Sequence, residues 1–364
     1  MSRQLLEGSD AIARAMVAAG CRFFAGYPMT PFTEVLENMG KHLPEVGGVC
    51  VNAESELEAI GMAWGAAVTG ARAATGSVGQ GLSLMQESLS ELCQARLPMV
   101  VLNMARGQGD YYQSTRGGGH GDYHLPVLAP VDLPEAVHLI QFAFHLADTW
   151  RQPVLFYGDY YLAHVWETVD IEPVDFGRTP EKDWTLTGST SGGGHSRIVS
   201  SVTNARMDDP RKLTYGRMIE TSGERIARMR AGVEPLAETY EIDDAEAVLV
   251  AFGTAARYLR RVVAELRAAG IRIGLVRPIT LWPFPSEVVN RALEKAGTGL
   301  VFELNAGQMI DDVRLAVAGR ADVYGIGGIS LDESGFGIAP DLDVELLCRR
   351  VRHAFAQFVK ESAR

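Results

Sequence analysis

The chain has 364 residues, of which 47% are hydrophobic, and its formal net charge is −11 at pH 7. This length is too great for one ordinary hydrophobic core, so we expect two or more domains. No run of Lys and Arg is long enough to follow a phosphate backbone, which argues against a nucleic-acid partner. The acidic balance does not exclude an anionic substrate, because one arginine in a closed pocket outweighs a diffuse surface charge.

The cysteines and the hydropathy pattern favour a reduced, cytoplasmic protein. The four cysteines, none of them in a CxxC pair, are Cys21, Cys50, Cys93 and Cys348. This spacing argues against a metal or iron–sulfur site within the chain. No apolar run reaches the roughly 18 residues of a membrane span, and the segment MSRQLLEGSDAIARAM lacks the apolar block of a signal peptide. We therefore expect no membrane partner.

Helical and strand-like segments alternate through the first half of the chain. A helix capped by Ser9 or Asp10 and stopped by Gly20 precedes a strand at 21–25. The further elements that the pattern predicts are a helix from about Thr33, strand 46–52, helix 54–70, strand 72–76, helix 82–94, strand 99–105 and a βα unit at 141–159. This alternation predicts an α/β fold with a parallel sheet covered on both faces, in which functional groups collect at the carboxyl ends of strands.

The second half begins with a change in composition. Between about 176 and 215 the sequence loses periodicity and gains Gly, Ser, Thr and Asp, which is typical of a linker, and a polar helical stretch follows at about 209–240. A second alternating domain follows, and its predicted elements are strand 246–253, helix 255–269, strand 271–276, strand 298–304, helix 307–317 and strand 321–327. We expect domains at 1–175 and 241–364, joined by a linker and helical segment at 176–240.

Several polar groups directly follow predicted strands of the first domain. They are Thr30 in GYPMTP, Glu56, the GQG turn that begins at Gly79, and Arg106. In GYPMTP one proline stands on each side of Thr30, so the backbone that carries its hydroxyl has little freedom. Since the carboxyl ends of parallel strands lie at one edge of a sheet, these groups are candidates for one site.

Glu56 is one of three carboxylates at the start of a predicted helix. For Glu54 and Glu58, compensation of the helix dipole is a sufficient explanation. The helix after Glu56 is rich in Gly and Ala, which favours close packing against another backbone, and a buried carboxylate needs a partner. The spacing of the residues does not identify that partner.

Arg106 ends an apolar strand and opens a glycine-rich loop. A guanidinium at a strand end, followed by glycine, suits bidentate binding of a carboxylate or phosphate, although a surface ion pair is the simpler alternative. The tract RGGGHGD at 116–122 offers a flexible anion nest but no known nucleotide motif. His120 and His124 suit ordinary hydrogen bonds, and His120 is also a candidate for contact with a substrate.

Two features of the second half have structural explanations. The segment RPITLWPFP at 277–285 places aromatic residues between prolines, which is typical of a rigid exit from a sheet. Glu303, Asn305 and Gln308 lie between a predicted strand and a helix. They suit helix capping, and contact with a partner subunit is the alternative.

Three stretches in this order resemble one family. GYPMTPFTE, AESELEAIGMAWGAAVTGARAATGSVGQGLSLMQE, and NMARG with YYQSTRGGGHGDYH are similar to the alpha subunits of the 2-oxoacid:ferredoxin oxidoreductases, most of all to the branch that uses 3-methyl-2-oxobutanoate. The segment at 277–285 resembles the transketolase C-terminal domain of the same subunits. The resemblance implies a pyrimidine-type thiamine diphosphate-binding domain followed by a transketolase C-terminal-like α/β domain.

The resemblance also implies roles for individual residues. Glu56 matches the carboxylate that hydrogen-bonds N1′ of the cofactor's aminopyrimidine and so promotes loss of the thiazolium C2 proton. Thr30 and Arg106 match positions that bind the carboxylate and carbonyl of the substrate, and His120 stays a candidate for contact with the substrate. The positions that the resemblance assigns to cofactor binding beside Glu56 are Tyr27, Pro28, Gly79 and Gln80.

The implied reaction is oxidative decarboxylation of a 2-oxoacid to an acyl-coenzyme A and carbon dioxide, with reduction of ferredoxin. The chain lacks the GDG segment of the diphosphate-binding half and cysteines for clusters. The resemblance therefore implies a beta subunit that supplies the diphosphate site, Mg²⁺ and a [4Fe–4S] cluster. It also implies a ferredoxin or ferredoxin-like subunit and a hetero-oligomer such as (αβ)₂.

Two departures from the family pattern leave the substrate open. Ser77, Val78, Gly79 and Gln80 stand where the family usually has a proline-containing turn, and the loop after Arg106 looks short for the branched-chain enzymes. Pyruvate and 2-oxoglutarate are therefore alternative substrates. The sequence is also compatible with a subunit of a thiamine-dependent dehydrogenase or transketolase, and with a non-catalytic assembly subunit that kept the fold.

Overall fold

The computed structural model describes residues 3–187, 215–327 and 342–359. The helices are α1 (Gly8–Ala18), α2 (Thr33–His42), α3 (Glu56–Val68), α4 (Gly79–Leu84), α5 (Gln86–Ala95), α6 (Tyr111–Thr115), α7 (Leu133–Trp150), α8 (Tyr160–His164), α9 (Tyr215–Gly232), α10 (Gly253–Ala268), α11 (Ser286–Ala296), α12 (Met309–Val317) and α13 (Val344–Phe358). The strands are β1 (Gln4–Glu7), β2 (Cys21–Gly26), β3 (Val49–Asn52), β4 (Arg72–Ser77), β5 (Met99–Ala105), β6 (Val127–Leu128), β7 (Pro153–Asp159), β8 (Trp166–Val169), β9 (Ala237–Tyr240), β10 (Ala247–Val250), β11 (Ile273–Pro278), β12 (Thr280–Trp282), β13 (Thr298–Val301) and β14 (Asp322–Gly325).

Within the described residues, the larger of the two main sheets has seven strands in the order β12-β6-β7-β5-β4-β2-β3. The six strands from β6 to β3 are parallel, and β12 is antiparallel to β6 at one edge. The central strand β5 is buried along its whole length, as expected of a parallel strand with helices on both faces. Its side chains alternate between two cores, with Val101 in one and Val100 and Leu102 in the other.

The second sheet has the order β14-β13-β10-β11-β9, with β9 antiparallel at the edge. One of its faces packs against α10 and α13 through Leu259, Val263, Val351 and Phe355. Residues of the other face, such as Val248, belong to the same core as α3 and α5 of the first domain. The two domains therefore share one apolar core.

Two further features join the domains. Strand β12 comes from the second half of the chain, yet it pairs with β6 of the first sheet. The buried Arg277, 5% exposed, forms two hydrogen bonds of 2.9 Å each with Glu135 at the start of α7 and a third of 3.0 Å with Glu238 on β9. The guanidinium thus connects an element of the first domain to the edge strand of the second.

Most expected elements of both domains lie where the pattern places them, and four differ. The residue before α1 is Glu7, and its side chain does not cap the helix, whereas Ser9 and Asp10 lie inside it. The expected strand 46–52 begins only at β3, because a 3₁₀ turn at Pro44–Val46 and a left-handed Gly47 come first. In place of helix 82–94 there are two helices, because the amide of Met85 contacts both the Gly81 and Leu82 carbonyls and tightens the turn there.

The expected helical stretch 209–240 is α9 followed by a strand, since the backbone after Pro235 pairs with β11 as β9. The part of the expected linker and helix at 188–214 lies outside the described residues. In the ranges that the structure describes, no helix is both long and apolar enough to cross a membrane.

The contacts of Arg277 with Glu135 and Glu238 predict that removing the Arg277 side chain lowers the stability of the chain substantially. We expect Arg277→Ala to lower the free energy of unfolding by about 2–3 kcal/mol, because the half-buried Glu135 loses its cation, whereas Glu238 keeps its pair with Arg260. Urea-induced unfolding followed by circular dichroism measures this change. The matched control is Arg291→Ala, which removes an exposed pair with Glu287 and should cost less than about 0.5 kcal/mol. Equal losses in the two variants would contradict the prediction.

Candidate active site

Four neighbouring parallel strands end at one edge of the larger sheet. Their register places Gly26 beside Asn52 and Gly76, and Ser77 beside Asn103, so β2, β3, β4 and β5 all reach the same level. The segments that leave these strands carry the polar groups that the sequence points to. The sheet therefore collects them at its carboxyl edge, which is where parallel α/β sheets bind their ligands.

The turn after β2 is fixed by an aromatic anchor. The Phe32 ring is fully buried and stacks on Phe24, with 5.9 Å between ring centroids. A Cβ at either Gly26 or Gly76 would lie 2.7 Å from this ring, so both strand ends need glycine for the ring to lie over them. The peptide bond between Thr30 and Pro31 is cis. In the same turn Tyr27 is half-buried, and Pro28 is exposed.

Glu56 is the first residue of α3 and is only 4% exposed. The hydroxyl of Ser77, the last residue of β4, donates a hydrogen bond of 2.8 Å to Glu56 Oε1. A Cβ at position 81 would collide with both side chains, so Gly81 leaves the room that the carboxylate and hydroxyl occupy. The helix N-terminus adds a favourable field for the negative charge. Together these contacts hold the buried carboxylate of Glu56 in a defined position.

Arg106 is half-buried, and its Nε donates a 2.9 Å hydrogen bond to the carbonyl oxygen of Thr30. The two residues are therefore in contact, through the backbone of Thr30 and not through its hydroxyl. The fork of N–H groups on the two Nη atoms of Arg106 forms no hydrogen bond within residues 3–187, 215–327 and 342–359. A guanidinium that is fixed at Nε presents this fork for a planar anion.

The turn at Gly79 is tied to the loop that follows Arg106. Gln113 Nε2 donates to the Gly79 carbonyl at 3.0 Å and to Asp110 Oδ1 at 2.8 Å. Asn103 donates to the other oxygen of Asp110 at 3.4 Å, and burial raises the pKa of this carboxyl. Gln80 is exposed at the tip of the turn. The glycine turn and the arginine loop thus form one connected edge of the site.

The two histidines make ordinary contacts, as the sequence suggested. His120 contacts Glu91 at 3.0 Å and Ser90 at 3.1 Å, both on α5, and its side chain is 56% exposed. Among the described residues the structure does not bring His120 into contact with the other predicted substrate ligands, and its role stays a prediction. The His124 ring stacks on Trp282 at 4.8 Å, and burial lowers the pKa of this histidine.

Family models match most of both domains. The model described as pyruvate flavodoxin/ferredoxin oxidoreductase, thiamine diphosphate-binding, matches residues 14–186, and that of pyruvate:ferredoxin oxidoreductase core domain II matches residues 245–333. The ketoisovalerate oxidoreductase subunit VorB of Methanothermobacter thermautotrophicus is 36% identical over 333 residues, covering 89% of this chain and 92% of that protein. The chain belongs to the 2-oxoacid:ferredoxin oxidoreductase family.

Within the 2-oxoacid:ferredoxin oxidoreductases the chain is an alpha subunit, as its sequence resemblance implied. The 2-oxoglutarate synthase subunit KorA of the same organism is 34% identical, covering 87% of this chain and 92% of that protein. The 2-oxoglutarate:ferredoxin oxidoreductase of Magnetococcus marinus, solved with 2-oxoglutarate, coenzyme A and succinyl-CoA bound, shares the fold with a TM-score of 0.83 at 23% identity. The likeness covers 96% of this chain and 65% of that one. The expected α/β fold class is confirmed.

Sequence reasoning missed two residues of this edge of the site, Ser77 and Gln108. Ser77 and Gly81, the last residue of the predicted GQG turn, surround the Glu56 carboxylate, and Gln108 lies buried in the loop after Arg106. A signal for Ser77 was present, since it ends a strand next to the predicted glycine turn. Nothing in the local pattern distinguishes Gln108, whose partners lie in the second domain.

The room at Gly81 can be tested by filling it. Gly81→Ala should lower the free energy of unfolding by about 1–3 kcal/mol, because the added methyl forces the buried Glu56 and Ser77 apart. Thermal or urea unfolding of the chain measures the change. Gly61→Ala on α3 is the matched control, since a Cβ there meets no atom within 4 Å and should be neutral or stabilising by up to about 1 kcal/mol. A Gly81→Ala chain as stable as the Gly61→Ala chain would show that the carboxylate is not packed in this way.

Proposed function

We propose that this chain activates thiamine diphosphate and binds the 2-oxoacid in an enzyme that forms an acyl-coenzyme A and carbon dioxide and passes two electrons to ferredoxin. The proposed cofactor is shared with a beta subunit, coenzyme A is the co-substrate, and the assembly works in the cytoplasm. When bound, thiamine diphosphate supplies the nucleophilic carbon and the electron sink that decarboxylation of a 2-oxoacid requires. We assign to the residues of this chain the binding and orientation of the cofactor and the substrate, and the transfer of protons.

The buried Glu56 carboxylate is the observation that carries this proposal. A carboxylate at 4% exposure is costly unless hydrogen bonds satisfy its oxygens, and Ser77 satisfies Oε1. The second oxygen can accept from the protonated N1′ of an aminopyrimidine, so the residues present fit this half of the cofactor. In this role Glu56 holds a proton on the ring nitrogen, and Gly81 allows the carboxylate to lie beside the Ser77 hydroxyl. We assign Gly79, Gln80, Tyr27 and Pro28 to the walls around it.

Arg106 and Thr30 are proposed to bind the substrate. A 2-oxoacid offers a carboxylate next to a carbonyl, and the Nη fork of Arg106 matches a carboxylate bidentately. The 2.9 Å bond from Arg106 Nε to the Thr30 carbonyl fixes the guanidinium beside the threonine, whose hydroxyl can donate to the 2-oxo oxygen. Of the remaining candidates, His120 is assigned to the outer part of the same loop.

An exposed apolar face beside Glu56 supports a beta subunit as the partner. On α3, Leu57 is 45% and Met62 42% exposed, and a Cβ at Gly61 or Gly65 would meet no atom within 4 Å. Exposed apolar surface of this kind favours a protein interface, and here it continues directly from the proposed cofactor ligand. We propose that a beta subunit covers this face and brings the diphosphate site, Mg²⁺ and a [4Fe–4S] cluster, in an assembly such as (αβ)₂ with a ferredoxin or ferredoxin-like subunit.

The substrate class follows from the relatives and the binding groups together. Relatives named ketoisovalerate oxidoreductase and 2-oxoglutarate synthase are 36% and 34% identical to this chain. The groups assigned above recognise only the carboxylate and carbonyl that all 2-oxoacids share. We propose 3-methyl-2-oxobutanoate as the preferred substrate, with 2-oxoglutarate and pyruvate as the competitors to compare, since an apolar pocket gains only about 1–3 kcal/mol for each further carbon of the side chain.

The decisive variant is Glu56→Gln in the assembly reconstituted with its partner subunits. It keeps the size of the side chain but removes the negative charge that holds a proton on the cofactor ring. We expect the rate of 2-oxoacid-dependent ferredoxin reduction to fall by at least about 100-fold for each of the three substrates. In the unchanged assembly we expect 3-methyl-2-oxobutanoate to give the highest kcat/KM.

Glu37→Gln is the control for this experiment. Glu37 is exposed on α2, outside the face of α3 that we assign to the beta subunit, so its loss does not touch the buried pair of Glu56 and Ser77. Its turnover should stay within about twofold of the unchanged assembly, as expected for a surface charge. If Glu56→Gln also kept full turnover, the non-catalytic assembly role would be the better explanation.

Arg106→Lys tests the substrate assignment separately. A lysine ammonium cannot form the planar fork, so KM for the 2-oxoacid should rise about tenfold or more, corresponding to a lost charge-assisted hydrogen bond. Because the carboxylate is common to all three substrates, the order of preference among them should not change. Arg22→Lys, at the exposed amino end of β2, should leave KM unaltered. A variant with unchanged KM would remove Arg106 from the binding site.

A further inference from the structure

The loop that carries Arg106 is held from the second domain. Gln108, two residues after the arginine, is only 2% exposed although it lies in a loop. Its amide donates to the carbonyl of Leu304 at 3.3 Å, and its own carbonyl accepts from Asn305 Nδ2 at 2.7 Å. Its side-chain oxygen accepts from the Leu304 amide at 2.9 Å, and its side-chain nitrogen donates to the Phe252 carbonyl at 2.9 Å. Backbone and side chain of one residue thus bind two segments of the other domain.

A second set of contacts supports the same attachment further along the loop. Tyr111 donates to Asp312 on α12 at 2.6 Å. The amide of Tyr112 donates to Gln308 Oε1 at 2.9 Å, and Gln308 Nε2 donates back to the Gly109 carbonyl at 2.8 Å. Four of the five residues from 108 to 112, all except Asp110, therefore form hydrogen bonds with the second domain.

The opposite end of this short loop carries the proposed substrate ligand. Arg106 is bonded at Nε to the Thr30 carbonyl, and a single residue, Gly107, separates it from Gln108. The Gly107 carbonyl accepts from the hydroxyl of Tyr157 at 3.3 Å. A guanidinium between two fixed points has little freedom, so a shift of Gln108 displaces its fork.

We propose that Gln108 is a positioning residue for Arg106, and that the second domain, through Phe252, Leu304 and Asn305, determines where the substrate-binding guanidinium lies. This inference rests on the proposed function, because it assigns the second domain a part in binding the 2-oxoacid. The second domain thereby acts on the substrate through the loop that carries Arg106.

The test compares two buried glutamines. Gln108→Ala removes the two side-chain bonds to the second domain. Gln141→Ala on α7 is the matched control, since Gln141 is equally buried and bonds to the backbone of Val137, Glu172 and Val174 within the first domain. In the complete assembly we expect Gln108→Ala to lower kcat/KM for the 2-oxoacid by about 10- to 100-fold, mainly through KM, as for a ligand misplaced by about 1 Å. The control should leave KM unchanged while losing comparable stability.

Amide hydrogen exchange of the chain gives a readout independent of activity. In Gln108→Ala the amides of Leu304 and Tyr112 should exchange faster than in the unchanged chain, and in Gln141→Ala they should not. Asn305→Ala, which removes a bond to the Gln108 carbonyl and touches neither Arg106 nor Thr30, should raise KM in the same direction. It provides the test if Gln108→Ala fails to assemble.

The outcomes separate this inference from the proposed function. Faster exchange with unchanged KM in both Gln108→Ala and Asn305→Ala would overturn the positioning role and leave the loop contacts purely structural. If the unchanged assembly reduced ferredoxin with none of the 2-oxoacids, the proposed function would fail. Amide exchange at Leu304 and Tyr112 in Gln108→Ala would still test whether the second domain holds the loop after Arg106. Unaltered exchange rates would refute that attachment.

Discussion

The site is organised around one buried carboxylate at the edge where four parallel strands end. Removing a carboxylate from water costs several kcal/mol unless hydrogen bonds and local fields compensate. For Glu56 the compensation comes from three sources: the N-terminus of α3, the Ser77 hydroxyl at 2.8 Å, and the absence of a side chain at Gly81. Each depends on the sheet, because β3 leads into Glu56 while β4 ends at Ser77. The burial of Glu56 is therefore a property of the sheet and of the two segments that leave it, and not of the local sequence alone.

The second domain is part of the architecture of this edge and not a separate attachment. The core on one face of the large sheet continues into the second sheet, and β12 completes the first sheet from the far half of the chain. The Arg277 guanidinium adds a polar connection between α7 and β9. With the domains fixed in this way, the loop after Arg106 can take its hydrogen bonds from the second domain. That arrangement explains how a glycine-rich loop can hold an arginine in place.

Local pattern predicted the strands and helices, and with them the positions of Thr30, Glu56 and Arg106 at strand ends, because hydrophobic periodicity is a property of neighbouring residues. The contacts that build the site are not local. Ser77 meets Glu56 across 21 residues of sequence, and Gln108 meets Leu304 across 196. Strand β12 has three residues between prolines, too few for a pattern to reveal that it joins the other domain's sheet. Sequence alone named the chemical groups, and tertiary contact decided how they are held.

The charge balance of the chain makes the position of one arginine decisive. With a net charge of −11 the chain repels a 2-oxoacid anion at long range, but screening limits that repulsion to about 8–10 Å at physiological salt. Binding must therefore come from short-range, geometrically defined contacts. Arg106 uses its Nε for the Thr30 carbonyl and leaves its planar Nη fork for the anion that we propose it binds, so in this proposal the orientation of the fork replaces a diffuse positive field. Because a fork is directional and a field is not, the proposed role requires Arg106 to be anchored on both sides, by Thr30 in its own domain and by Gln108 against the other.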